Sequence, residues 1–143
     1  MSMIVSYLTQ IAQCGGQYRN RQLEPWGIRA RQASLLLEIC ATPGISQDTL
    51  AKRLFLDKSV VARALANLEE QGLVERPTCQ KDRRVIRLQP TEKALQMQPQ
   101  LQAVNAQWAQ FLTADMTPEE LAALETLLER LQTRAAKWME VEE

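Results

Sequence analysis

Apolar residues recur along this chain at three- and four-residue intervals, switch to alternation between Leu73 and Leu88, and then return to the helical period. Ile4, Leu8 and Ile11 predict a first helix running towards Leu23, with the pair Gly15-Gly16 as a weak point. After the break Glu24-Pro25-Trp26-Gly27, the positions Ala33, Leu36, Leu37 and Cys40 predict a second helix, closed by Thr42-Pro43-Gly44. Ser46 is placed to cap a short third helix, whose inner stripe is Leu50, Ala51 and Leu54 and whose dipole Asp48 complements. Asp57 is placed to cap a fourth, which carries Val61, Leu65 and Leu68 inward until Gly72 supplies a left-handed stop. Two short helices with about three residues between them form a helix-turn-helix pattern.

In the alternating stretch, Leu73–Arg76 and Val85–Leu88 flank a polar run and predict a β-hairpin. Thr91 then caps a fifth helix containing Leu95, Leu101, Val104, Trp108 and Phe111, with Pro99 expected to kink it. Thr117, Pro118 and Glu120 give the last helix a capping box with proline at its first position. Leu121, Leu124, Leu127, Leu128 and Leu131 lie on one of its sides. The expected fold is therefore mainly α with a small β-wing: a winged helix-turn-helix core at about 33–90, flanked by terminal helices at about 2–22 and 92–140, all within one domain spanning 1–143.

Composition narrows the chemistry. The chain has 143 residues, 17 basic and 17 acidic side chains, three cysteines and no histidine. Without histidine there is no Ser-His or Cys-His nucleophile pair, and isolated carboxylates are explained by caps and solvated faces. No catalytic residue, metal site or cofactor is expected. Three widely spaced cysteines without a Cys-x-x-Cys suit a reducing compartment. The start lacks a basic region before its apolar stretch, and no run approaches a membrane span, so a cytoplasmic protein with no membrane partner is expected.

The net charge of zero conceals a polarity. Residues 52–93 carry ten basic and six acidic side chains, 94–112 carry none, and 113–143 carry three basic and eight acidic. A basic middle with an acidic end suits a protein that offers one face to a polyanion. On the fourth helix Lys58, Ser59, Arg63 and Asn67 lie opposite the apolar stripe, and arginine and asparagine offer bidentate pairing to guanine and adenine. Ser46, at the start of the third helix, joins them as a candidate DNA contact. At the hairpin tip Lys81, Arg83 and Arg84 surround a single Asp82, enough cation to make DNA affinity strongly salt-dependent.

These motifs, namely Leu50-Ala51, the helix end Leu68-Glu69-Glu70-Gln71-Gly72-Leu73-Val74, Arg76, the wing Asp82-Arg83-Arg84, and Leu88 followed by Thr91, resemble the winged-helix core of the multiple antibiotic resistance regulator (MarR) family of bacterial transcription factors. The flanking helices match in number and order. One departure is Gln89-Pro90-Thr91 followed by Ala94, where the family commonly shows Leu-Thr and a glycine. The resemblance implies a homodimer, a recognition helix in the major groove with Lys58, Ser59, Val60, Ala62 and Arg63 at its exposed start, and a minor-groove wing in which Asp82 braces an arginine and Arg84 enters the groove. Independently of family, the uncharged 94–112 segment and the stripes Ile4, Leu8, Leu121, Leu124, Leu128 and Leu131 provide more apolar surface than one small core needs.

The family also implies a repressor on an inverted repeat, released by a small aromatic molecule. Tyr18, Trp26, Ile28 and Trp108 are the candidate lining of its pocket. A redox trigger through Cys79, beside Lys81, or through Cys14 is the alternative, as is a winged-helix module that docks proteins and binds no DNA.

Overall fold

A computed structural model describes residues 2–77 and 86–141, which fall into two compact units, Met1–Trp108 and Ala109–Glu143. In chain order the elements are α1 (Ile4–Leu23), a 3-10 turn (Glu24–Trp26), α2 (Ala30–Ala41), α3 (Gln47–Leu54), α4 (Lys58–Glu70), β1 (Val74–Glu75), β2 (Gln89–Pro90), α5 (Glu92–Leu112) and α6 (Pro118–Val141).

The first unit is organised around α2. Its Leu35, Leu36 and Ile39 are fully buried with Leu50 of α3 and Val61, Leu65 and Leu68 of α4, so the stripes expected of the three helices meet in one core. Leu73, Val74, Leu88 and Leu101 close that core from the wing base and α5. The turn between α3 and α4 is tight, and Phe55 takes the left-handed conformation that closes α3, at φ 55°. Ser46 accepts a hydrogen bond from the Thr49 amide at 3.1 Å, as its position predicts. Asp57 occupies the N-cap of α4 but makes no side-chain cap bond among the described residues, so that part of the expectation fails.

Two further expectations change. α1 runs unbroken through Gly15-Gly16, because Gly15 is buried against the Trp108 ring, leaving no room for a side chain there. Among the described residues the strand returning from the wing does not pair through Ile86–Leu88 with β1. β1 instead pairs antiparallel with β2, Val74 opposite Pro90 and Glu75 opposite Gln89. The residues before β2 bond to the α2–α3 connection: the Leu88 amide donates to the Ile45 carbonyl at 2.9 Å, and the Gly44 amide donates to the Leu88 carbonyl at 2.7 Å. Burial of Leu88 and Ile45 in the core holds that register.

The second unit holds the last turn of α5 and α6. The Thr117 hydroxyl accepts from the Glu120 amide at 3.1 Å while the Glu120 carboxylate accepts from the Thr117 amide at 3.0 Å, the expected reciprocal cap. Among the described residues no helix is long and apolar enough to cross a membrane.

Candidate nucleic-acid interface

Along α4 the buried positions Val61, Ala64, Leu65 and Leu68 define the inner face, so Ser59, Arg63, Ala66 and Asn67 are presented outward. Lys58 begins the helix and is exposed, Ala62 is half-buried, and Val60, also half-buried, lines a cavity beside the helix. The structure therefore gathers Lys58, Ser59, Ala62 and Arg63 at the exposed start of the helix. Asn67 stands one turn beyond Arg63, and its Oδ1 accepts a hydrogen bond from Gln71 Nε2. Bidentate adenine pairing uses both the oxygen and the nitrogen of an asparagine; the second lone pair of Oδ1 and the amide nitrogen remain for it, with Gln71 fixing the orientation of the amide. Ser46 also has its hydroxyl engaged, donating to Thr49 Oγ1 at 2.8 Å. The candidates Lys81, Asp82, Arg83 and Arg84, together with Cys79, lie outside the described residues.

The far end of α4 is tied down at several points. Gln71 Nε2 also donates to the Gly27 carbonyl at 3.2 Å, Lys93 Nζ donates to the Gln71 carbonyl at 3.2 Å, and Thr91 Oγ1 donates to the Gly72 carbonyl at 2.7 Å. Arg76 Nε donates to Glu69 Oε2, joining the wing base to the helix. These bonds hold α4 against the α1–α2 connection and the start of α5.

Beside α4 lies an open cavity of about 700 Å³ between α1, α2 and the α3–α4 turn. Among the described residues its lining contains Arg19, Arg29, Arg31 and Arg63 and no carboxylate, with Asn20, Gln32, Ser34 and Asn67 as polar neighbours. Arg19 is held in place, with Nε donating to the Gly15 carbonyl at 3.3 Å and Nη1 to Ser34 Oγ at 3.5 Å. Asn20 Oδ1 accepts from the Ala30 amide at 2.7 Å, and Gln32 Oε1 from the Arg29 amide at 2.8 Å, so the first turn of α2 is capped from both sides. Sequence reasoning singled out Arg63 but missed Arg19, Arg29 and Arg31. Their signal was the run from Arg19 to Arg31, which holds four arginines and the single acid Glu24.

The aromatic residues expected around an effector do not converge on this cavity. Tyr18 and Trp108 stack on each other, with ring centroids 5.0 Å apart and planes at 24°. Ile28 is core at 2% exposure, and Trp26 is exposed on the 3-10 turn. Of the dimer candidates, Ile4 and Leu8 are exposed in the first unit; in the second, Leu121 and Leu124 are half-buried and Leu128 and Leu131 exposed. Cys14 is exposed, while Cys40 is buried and its thiol is pushed above the ordinary cysteine value by desolvation.

Comparison with known proteins places this arrangement. The family model described as "MarR family" matches residues 26–85. A solved structure of MarR is 30% identical, with a TM-score of 0.86 over 94% of this chain and 92% of that one. A MarR-family transcriptional regulator of Listeria monocytogenes, solved in complex with a 26-mer DNA, is 26% identical, with a TM-score of 0.92 over 99% of this chain and 95% of that one. An HTH-type transcriptional regulator of Bacillus subtilis (strain 168), YybA, is 26% identical over 132 residues, covering 92% of this chain and 88% of that protein.

Proposed function

The chain belongs to the MarR family, and on that premise we propose that it is a homodimeric, cytoplasmic repressor that binds an inverted-repeat operator and is released by a small-molecule effector. It is a DNA-binding transcription regulator of winged helix-turn-helix fold and not an enzyme. The observation that carries the reading is the outward start of α4, where Ser59 and Arg63 stand clear of a fully buried Val61-Leu65-Leu68 stripe. Arginine so placed can pair with guanine O6 and N7. The Listeria relative solved with DNA supports double-stranded DNA as the partner.

The dimer reading draws on apolar residues left exposed in both units, among them Ile4 and Leu8, and Leu128 and Leu131. A two-fold pair of recognition helices suits half-sites about one turn of DNA apart. The effector reading draws on the arginine-lined cavity, which shares Arg63 and Asn67 with the reading helix, so an anion held there competes with DNA for the same side chains.

Fluorescence anisotropy with the intergenic DNA upstream of the gene, at several salt concentrations, tests the reading. Binding should weaken steeply with salt, with a log–log slope of about −0.9 per phosphate contacted. Arg63→Ala should cost about ten-fold or more in affinity, the value of one bidentate base contact. An unchanged affinity in that variant sinks the recognition-helix assignment, and a winged-helix module that docks only proteins would bind no duplex at low salt.

A further inference from the structure

The reading end of α4 carries acids that a phosphate-binding surface does not need. Asp57 stands at the N-cap, and Lys58, the first residue of the helix, has its Nζ 3.6 Å from Asp48 Oδ1 on the first turn of α3. Both partners are more than 70% exposed, and an ion pair so open to water adds little to folding. The start of α3 is capped by Ser46, and a first-turn acid adds to that only the modest dipole term of an exposed charge. The dipole term does not require that the carboxylate also reach Lys58 at the start of α4.

We propose that Asp48 is a specificity-determining residue, restraining Lys58 so that the tip of the recognition helix gains little from phosphate contact alone. The inference rests on the DNA-binding reading above. On a duplex without the right bases, Lys58 reaches a phosphate only by leaving Asp48, whose carboxylate is then unpaired beside the polyanion. That arrangement is repulsive, and it penalises every wrong sequence alike. On the right sequence the carboxylate has an attractive alternative, since it accepts from the exocyclic amine of cytosine in the major groove. The charge lowers non-specific affinity and spares specific affinity.

The test uses a duplex enriched from a random library on the wild-type protein, and a shuffled version of it. Asp48→Asn should bind the shuffled duplex about five-fold to ten-fold more tightly, with a salt slope steeper by about one contact, while the enriched duplex stays within about two-fold or weakens. Asp48→Ser, which keeps a first-turn oxygen acceptor, should give the same shift. In a Lys58→Gln background, where no cation is restrained, the gain should fall to about two-fold, the part that loss of the carboxylate's own repulsion supplies. Equal gains on both duplexes, no gain on the shuffled one, a gain in only one of the two Asp48 variants, or a full gain that survives Lys58→Gln would each overturn the proposal. Wild-type protein that enriches no duplex overturns the DNA-binding reading itself.

Discussion

Gly15 of α1 lies directly beneath the indole of Trp108 of α5: a Cβ at Gly15 would sit 2.8 Å from Trp108 Nε1 and 3.2 Å from Cε2. The next residue, Gly16, has nothing within 4 Å of the same construction. Alanine is favoured over glycine inside a helix by about 1 kcal/mol, and that gain applies at both positions. At Gly15 it is outweighed by overpacking against a ring already stacked on Tyr18, which costs about 1–3 kcal/mol. Gly15→Ala should therefore lower the thermal midpoint and Gly16→Ala should raise it, read by differential scanning calorimetry on the two variants side by side.

Ser46 caps α3 through its side-chain oxygen. Ser46→Ala removes the bond to the Thr49 amide and should destabilise the fold by about 1 kcal/mol. Ser46→Asp retains an acceptor at the cap and should restore most of that loss in urea titration. A neutral alanine variant would show that the α3 start is held by something other than this hydroxyl.

Cys40 gives a pH dependence whose sign follows from burial. Its folded pKa lies above the ordinary value of 9.0, so the native state keeps its proton where the unfolded thiol ionises. The contribution is whole below the ordinary value and is lost as pH climbs through the raised one. Wild-type stability should fall more steeply above pH 9.0 than that of Cys40→Ala, measured as denaturation midpoints across the alkaline range. In the native protein at neutral pH a thiol reagent should label Cys14, which is exposed, well before Cys40.

Leu128 and Leu131 of α6 are each 43% exposed. If a second copy covers them, the double substitution Leu128→Glu, Leu131→Glu buries two unpaired carboxylates in that contact and should shift sedimentation from dimer to monomer at micromolar concentration. The core around Leu35, Leu65 and Leu68 contains neither residue, so near-ultraviolet ellipticity from the first unit should persist. A dimer that withstands both charges places the interface elsewhere.

Local order is legible in the residues alone. The stripes of α2, α3 and α4, the caps at Ser46 and Thr117 and the stop at Gly72 depend on side-chain spacing and on short-range hydrogen bonding, and neighbouring residues in the chain carry that information. The outward placement of Ser59 and Arg63 follows from the same periodicity. What the sequence could not decide is which distant groups meet. The return strand bonds to Gly44 and Ile45 because Leu88 and Ile45 share one core, a choice made by packing and invisible to alternation. Tyr18 and Trp108, ninety residues apart in the chain, stack on each other. Arg63 of α4 was legible from helical spacing, but Arg19, Arg29 and Arg31, which join it from both sides of the α1–α2 connection, were lost in a charge count over long blocks. Periodicity determined the elements and which face of each is apolar; only the tertiary structure determined which charges converge, because convergence depends on distances between residues far apart in the chain.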